Sequence, residues 1–210
     1  MMISYAQNRE DALLSRAFGQ QTKGFYIDVG ANHPIHDSVT KHFYEQGWHG
    51  INIEPGKPFG ELAADRHRDI NLNVAVSNRI GKTTFYEFAS TGLSTMCGAE
   101  AQARIKEGRA PTQRDVESLT LAAICEAHVQ GEIDFISIDV EGHEREVIEG
   151  GDWRRWRPRV AVIESTRPNS TEASHEPWEP ILLSAGYWFA VFDGLNRFYV
   201  RDEDQPLLAP

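Results

Sequence analysis

The sequence predicts an α/β fold built on a mostly parallel β-sheet, which an antiparallel hairpin closes at the C-terminal end. Short runs rich in Ile, Val and Phe recur along the chain, each ending in one acid, and helix-like segments separate them. Strands that alternate with helices form right-handed parallel units. Near the C-terminus, two aromatic and β-branched runs flank Asp193-Gly194, a pair that is typical of a hairpin turn.

Composition and charge exclude several classes of protein. A chain of 210 residues, 40% hydrophobic and 25% charged, suits a single globular domain over residues 1–210. Its net charge of −10 disfavours non-specific nucleic-acid binding, which depends on Lys and Arg. The sequence contains no uncharged apolar run of about 18 residues and no secretory signal at its start. We therefore expect a cytoplasmic protein without a transmembrane segment or a nucleic-acid partner.

The strands and helices are predicted in alternation. Strands buried on both faces are predicted at residues 25–28, 51–54, 135–139 and 160–164, and further strands at 71–76, 82–88, 187–192 and 197–200. Helices are predicted between them at residues 38–46, 58–62, 144–148 and 178–185. Asp37 is the predicted N-cap of the first of these helices. Residues 89–113 combine Gly, Ser, Thr and charges with a weak helix pattern, which indicates a lid or substrate loop.

The terminal acids of the strands predict a ligand site. Ligands of open α/β sheets bind outside the carboxyl ends of the strands, where these acids gather. The turn that follows the first strand contains Gly30, which permits close approach of a ligand to the backbone. Glu54 follows the second strand. Its carboxylate can accept hydrogen bonds from both ribose hydroxyls of an adenosine, or simply cap the turn at Pro55-Gly56.

A nucleotide-sugar oxidoreductase or epimerase is one alternative, and a cofactor-binding protein without activity is another. The dinucleotide fingerprint requires three glycines at fixed spacing, but the first turn contains one. No Tyr is followed four residues later by Lys, so the Tyr-x-x-x-Lys pair of short-chain oxidoreductases is also missing. A parallel sheet that ends in an antiparallel hairpin is instead the arrangement of the S-adenosylmethionine methyltransferase fold.

Three motifs resemble those of the FkbM family of methyltransferases. They are Phe25-Tyr26-Ile27-Asp28-Val29-Gly30-Ala31-Asn32, Asn52-Ile53-Glu54-Pro55 and Ile138-Asp139-Val140-Glu141-Gly142-His143-Glu144. The resemblance extends to residues 5–11 and 192–198, and it implies a Rossmann-like class I methyltransferase fold with S-adenosylmethionine as cofactor. It further implies methyl transfer to a hydroxyl of a sugar, glycolipid or polysaccharide precursor. Where many members have Gly after Ala-Asn-x, this chain has His33-Pro34, which stiffens the first turn.

The resemblance also implies which residues bind the cofactor, namely Asp28, Gly30, Asn32, Glu54, Ala75, Val76 and Asp139. The first three surround the methionine part, Glu54 binds the ribose, and the backbone near residues 75–76 borders the adenine. Asp139 faces the methyl donor. Within residues 1–20, an amphipathic helix is expected to dock on the sheet edge and cover the cofactor cleft.

A sugar hydroxyl is a weak nucleophile, so its activation needs a general base or a cation. His143 is the predicted base, because imidazole titrates near neutrality and the neighbouring acids favour its protonated form. Alternatively, His143 caps the following helix or packs against it. Glu141 either orients this loop or the substrate, or it is a solvated turn residue. Asp139 and Glu164 end adjacent predicted strands, and their hard oxygen ligands suit Mg²⁺ or Mn²⁺ as the other means of activation. Alternatively, they bind no metal, because a pair of acids at strand ends is common without one.

Polar residues near the predicted cleft are candidates for binding a hydroxyl-rich small-molecule or glycan acceptor: His33, Lys41, His42, Thr91, Ser94, Thr95, Asn196 and Arg197. Each of them alternatively stabilises its own loop. The sequence leaves open which acceptor is methylated, at which position, and whether the chain forms a homo-oligomer.

Overall fold

The computed structural model describes residues 2–19, 21–89, 92–168 and 170–208. Helices and strands alternate over most of this range. In chain order they are α1 (Glu10–Phe18), β1 (Phe25–Val29), α2 (Lys41–Glu45), β2 (His49–Ile53), α3 (Phe59–Asp65), β3 (Ile70–Leu72), β4 (Ala75–Val76), β5 (Gly81–Glu87), α4 (Gly98–Lys106), β6 (Thr112–Leu119), α5 (Leu121–His128), β7 (Phe135–Ile138), α6 (Glu144–Glu149), β8 (Val160–Glu164), α7 (Glu179–Ser184), β9 (Tyr187–Phe192), β10 (Asn196–Arg201) and a 3₁₀ helix (Asp202–Leu208).

The main sheet has seven strands within the described residues, in the order β3-β2-β1-β7-β8-β10-β9. Strands β3, β2, β1, β7 and β8 run parallel to one another, whereas β10 pairs antiparallel with both β8 and β9. The predicted fold, a mostly parallel sheet closed by a C-terminal antiparallel hairpin, is confirmed. None of the described helices combines the length and apolarity that crossing a bilayer requires.

The hairpin turn at residues 193–195 fixes the register of β10. The Asp193 carboxylate accepts hydrogen bonds from the main-chain N–H groups of Leu195 (2.9 Å) and Asn196 (2.7 Å). Such an Asx turn stabilises a tight reversal of the chain. On its other side β10 pairs with β8, and there Asn196 lies opposite Glu164 at the carboxyl end of β8.

Both faces of the main sheet are covered, which explains why its central strands are rich in Ile, Val and Phe. One face presents residues such as Ile27 and Ile136 to helices α5, α6 and α7. The opposite face presents Tyr26, Phe135 and Val162 to residues of α1 and α2. Successive strand residues alternate between these faces, as the pleat requires.

Helix α1 packs on a face of the sheet, whereas the sequence predicts it at the sheet edge and over the cofactor cleft. Leu14 and Phe18 belong to the apolar cluster that contains Phe135 and Val162 of the central strands. No described residue of α1 lines the cavity at the carboxyl ends of the strands. The apolar face of the helix is thus used for core packing.

We expect Leu14→Ala to lower the free energy of unfolding by about 2–5 kcal/mol, because it removes a fully buried side chain and leaves a cavity. Leu13→Ala is the control, since Leu13 lies on the same helix but is only half-buried. Urea denaturation measures both values. Equal losses in the two variants would contradict the packing of α1 on the sheet face.

The prediction of one strand over residues 71–76 is wrong. Strand β3 joins the main sheet beside β2, whereas β4 pairs with β6 in a second sheet. Between the two strands, the Asn73 side-chain amide donates to the main-chain oxygen of Glu54 (2.8 Å). The chain leaves the main sheet at this point.

The prediction that Asp37 caps α2 is also wrong. Asp37 has a φ of 56°, and the helix begins at Lys41, after Thr40. The Thr40 hydroxyl makes no capping hydrogen bond, and it donates to Oδ2 of Asp28 (2.8 Å).

The second sheet has three strands within the described residues, in the order β4-β6-β5. Strand β5 matches the strand predicted at residues 82–88. Strand β6 is not predicted from the sequence, because Val116 and Ser118 are its only buried residues and a charged residue separates them. The cluster of Ala75, Phe85 and Val116 forms the apolar centre of this sheet.

Candidate active site

A cavity of about 700 Å³ opens at the carboxyl ends of β1, β2 and β7. Open α/β sheets bind their ligands at this edge, and small-molecule sites have volumes of roughly 300–1,000 Å³. Residues from both sheets line the cavity, among them Gly30, Asn32, Glu54, Ala75, Val76, Phe85, Glu87, Met96, Asp139 and Glu141. All predicted cofactor residues except Asp28 are in this lining.

The turn after β1 requires glycine at position 30. Gly30 has a φ of 86°, and a Cβ atom at this position would lie 1.8 Å from the main-chain oxygen of Asp139. The main-chain N–H groups of Gly30 and Ala31 both donate to the oxygen of Ile53 (3.0 and 3.1 Å). The turns after β1, β2 and β7 are therefore packed against one another at the floor of the cavity.

Glu54 both caps its own turn and faces the cavity. Its Oε1 accepts from the main-chain N–H of Gly56 (2.5 Å), and its Oε2 accepts from that of Asn32 (2.9 Å). The residue is 6% exposed, and this burial raises the pKa of its carboxyl while the two main-chain donors lower it. The sequence leaves ribose binding and turn capping as alternatives, and the geometry accommodates both.

The second sheet forms the wall opposite these turns. Ala75 and Val76 line the cavity as predicted, together with Phe85 of β5. Glu87, at the end of β5, also lines it and accepts from the main-chain N–H of Lys57 (2.6 Å). Phe85 and Glu87 are not among the predicted site residues, because the position of β5 depends on its pairing with the unpredicted β6.

Three carboxylates meet beside the cavity, where β7 and β8 end and α6 begins. Asp139, Glu144 and Glu164 each offer an oxygen, and these oxygens all lie within 4.8 Å of one another. Asp139 lines the cavity, whereas Glu144 and Glu164 are 4% and 6% exposed. Burial, followed by the negative charge of Asp139, raises the pKa of Glu164. The predicted pair of Asp139 and Glu164 is brought together, and Glu144 joins it.

Glu141 is held in place by the segment that the sequence predicts as a lid or substrate loop. Its φ is 56°, and its carboxylate forms an ion pair with the guanidinium of Arg104 in α4 (2.7 Å). Arg104 is 2% exposed, and the Thr95 hydroxyl donates to the main-chain oxygen of Glu141 (2.8 Å). These contacts fix the turn after β7 against α4. Within the same segment, Thr91 lies outside the described residues.

His143 lies next to this turn but outside the cavity lining. Its Nε2 is 3.1 Å from the hydroxyl of Ser77, which follows β4, and its Nδ1 is 3.4 Å from a carboxylate oxygen of Glu146. Burial lowers the pKa of His143, and the charge of Glu146 opposes this shift. The structure therefore does not bring the predicted base to the cavity.

Asp28 lies in β1, outside the cavity lining, and its side chain contacts the segment before α2. It is 5% exposed and accepts from the Thr40 hydroxyl (2.8 Å), and burial raises the pKa of its carboxyl to about 6. The positive charge of Arg66 counteracts this shift. Arg66 is itself fully buried and donates to the main-chain oxygen of Pro34 (2.8 Å) and to Ser38 Oγ (2.9 Å).

The structure brings some of the predicted acceptor-binding residues to the cavity, namely His33, Ser94 and Thr95. The others lie elsewhere: Lys41 pairs with Asp65 (3.0 Å), Arg197 pairs with Glu179 (3.2 Å), and His42 also lies outside the lining. Asn196 donates to Glu10 (2.6 Å), so it links the hairpin to α1.

Comparison of the sequence with known protein families identifies the family of the chain. No curated protein matches the chain significantly. The family model described as Methyltransferase FkbM domain matches residues 28–189, more than half of the 210 residues. The matched range contains the Gly30 turn, Glu54, the second sheet and the carboxylates at the carboxyl ends of β7 and β8. The chain therefore belongs to the FkbM methyltransferase family.

Proposed function

We propose that this chain is an S-adenosylmethionine-dependent O-methyltransferase whose acceptor is a hydroxyl of a sugar, glycolipid or polysaccharide precursor. The observation that supports this function most is the position of Glu54. Its buried carboxylate faces the cavity at the end of β2, between the Gly30 turn and the wall that contains Ala75 and Val76. In an α/β fold, a carboxylate at this position suits the two hydroxyls of a ribose.

The lining of the cavity offers groups that suit the ribose, the adenine and the sulfonium of the cofactor. Each oxygen of Glu54 accepts one main-chain hydrogen bond and retains a second lone pair for a ribose hydroxyl. Val76 and Phe85 offer an apolar surface for an adenine ring. The carboxylate of Asp139 favours the positive charge of a sulfonium group. When bound, S-adenosylmethionine supplies an electrophilic methyl group.

Transfer to a hydroxyl forms a carbon–oxygen bond, breaks the carbon–sulfur bond and releases the hydroxyl proton. We assign the orientation of the acceptor hydroxyl, and the uptake of its proton, to Asp139, because this carboxylate lines the cavity. Glu141 and Arg104 act as positioning residues, since their ion pair holds the turn that presents Asp139. This rigid support keeps the reacting atoms aligned.

The rim of the cavity supports a hydroxyl-rich acceptor. His33, Ser94 and Thr95 line it, and the Ser94 oxygen accepts from the main-chain N–H of Phe88 (3.1 Å). That contact leaves the Ser94 hydroxyl proton available for donation to an acceptor oxygen. Polar groups of this kind fix the orientation of a ligand in its pocket.

His143 is proposed as a positioning residue that links the turn after β7 to Ser77, next to the predicted adenine wall. We expect His143→Ala to weaken cofactor affinity by about 2–10-fold, the equivalent of one hydrogen bond, and to change kcat by less than about tenfold. His143→Gln should restore part of the affinity because its amide can reach Ser77. Steady-state kinetics and calorimetry separate the two effects.

A general base would behave differently. If His143→Ala lowers kcat by about 10²–10⁴-fold while cofactor affinity is unchanged, the residue acts as the base and the positioning assignment is contradicted.

Methyl transfer to oxygen can be tested with methyl-labelled S-adenosylmethionine and a panel of sugars, nucleotide sugars and amino sugars. We expect label in an alkali-stable methyl ether and an equal amount of S-adenosylhomocysteine. Label that appears only in amine or carboxyl ester products would contradict O-methylation of a hydroxyl.

A further inference from the structure

The three carboxylates beside the cavity come from separate elements that converge on one point. Asp139 follows β7, Glu144 begins α6 and Glu164 ends β8. Their offered oxygens lie within 4.8 Å of one another. Bonds of about 2.0–2.1 Å to Mg²⁺ place its ligand atoms about 3–4 Å apart, so a small side-chain adjustment closes the set around one ion.

Two oxygens of this cluster accept no hydrogen bond from the described part of the chain unless Asp139 and Glu164 share a proton. They are Oδ1 of Asp139 and Oε2 of Glu164, and both atoms are buried. Glu164 is 6% exposed, so bulk water does not replace the missing partner. An unsatisfied buried acceptor is costly, and an unpaired buried charge more so.

The polar groups around the cluster are engaged elsewhere. Asn196 lies opposite Glu164 in the sheet, but its amide donates to Glu10 (2.6 Å) and Asp193 (3.3 Å). Arg104 pairs with Glu141 (2.7 Å). None of the ion pairs among the described residues includes Asp139, Glu144 or Glu164, and the charge of Arg104 acts on Asp139 only from its pair with Glu141.

The main chain orients the third carboxylate. Oε1 of Glu144 accepts from the N–H groups of Val140 (3.2 Å) and Gly142 (3.1 Å). This contact fixes the side chain at the start of α6. Supporting hydrogen bonds of this kind are typical of metal-ligating carboxylates.

From this arrangement we infer that Asp139, Glu144 and Glu164 form a binding site for one divalent cation, Mg²⁺ or Mn²⁺, at the edge of the cavity. Three hard carboxylate oxygens suit these ions, which retain water in their remaining positions. Because Asp139 also lines the cavity, a cation held by these carboxylates would lie next to the space proposed for the acceptor. An acceptor hydroxyl on the cation would lose its proton more easily.

The use of the cation in catalysis rests on the proposed function, but its binding does not. Titration of Mn²⁺ into the full chain, without cofactor or acceptor, tests binding alone by the electron paramagnetic resonance signal of free Mn²⁺. We expect one bound ion per chain, displaced by excess Mg²⁺. Glu164→Gln and Glu144→Gln should each weaken binding by at least about tenfold.

Glu149→Gln is the matched control, because Glu149 lies on α6 but is ion-paired with Arg145 outside the cluster. This variant should bind Mn²⁺ as the wild type does. Circular dichroism checks that each variant is folded. If Glu164→Gln does not fold, the Mn²⁺ titration of Glu144→Gln alone tests the inference. Absence of Mn²⁺ binding by the folded wild type would overturn the inference, as would equal binding by the wild type and the Glu144 or Glu164 variant.

Discussion

Gly30→Ala is expected to weaken S-adenosylhomocysteine binding by at least about 100-fold and to lower the free energy of unfolding by about 3 kcal/mol or more. The added Cβ would lie 1.8 Å from the main-chain oxygen of Asp139, and the φ of 86° disfavours any residue with a side chain. Backbone atoms cannot move aside without separating the turns after β1 and β7. Calorimetry and urea denaturation measure the two effects.

Gly108→Ala provides the matched control for this prediction. Gly108 has a φ of 89°, but a Cβ atom at this position would have no atom of the described residues within 4 Å beyond its own chain neighbours. Its substitution should therefore lower the free energy of unfolding only by the conformational cost of about 1–3 kcal/mol, and it should leave cofactor affinity unchanged. If Gly30→Ala binds S-adenosylhomocysteine as tightly as Gly108→Ala does, the packing of these turns does not shape the cofactor site.

Asp139→Asn should lower kcat by about 10²–10⁴-fold and change S-adenosylhomocysteine affinity by much less. The asparagine retains the volume of the side chain but cannot accept the acceptor proton or ligate a cation as a carboxylate does. Glu61→Gln is the control, because Glu61 also lines the cavity but is exposed and outside the carboxylate cluster. Single-turnover kinetics at saturating cofactor report the chemical step. Equal losses of kcat in the two variants would contradict the assigned role of Asp139.

The positions of Glu54, Asp139 and Glu164 could be predicted from the sequence for a simple reason. Each acid ends a short apolar run, and the carboxyl ends of parallel strands meet at one edge of the sheet. Strand periodicity also explains why Asp28 lies outside the cavity lining. Asp28 is two residues after Tyr26, so it shares the face that packs against α1 and α2, and it points to Thr40.

Other parts of the site depend on contacts between distant segments. His143 is only four residues after Asp139, but the left-handed residues Glu141 and Gly142 reverse the chain and direct the imidazole to Ser77. The partner that holds Glu141 is Arg104, from a segment with a weak helix pattern. No local pattern in the sequence connects these residues, because their positions follow from the packing of α4 and the second sheet.

Titration of S-adenosylhomocysteine into the folded wild type and into Glu54→Gln, followed by calorimetry, tests the central claim most directly. We expect one site per chain in the wild type and affinity at least about tenfold weaker in Glu54→Gln, because the new amide cannot accept from both main-chain N–H groups and the ribose. Absence of binding by the folded wild type, or equal affinity in the two proteins, would contradict the account.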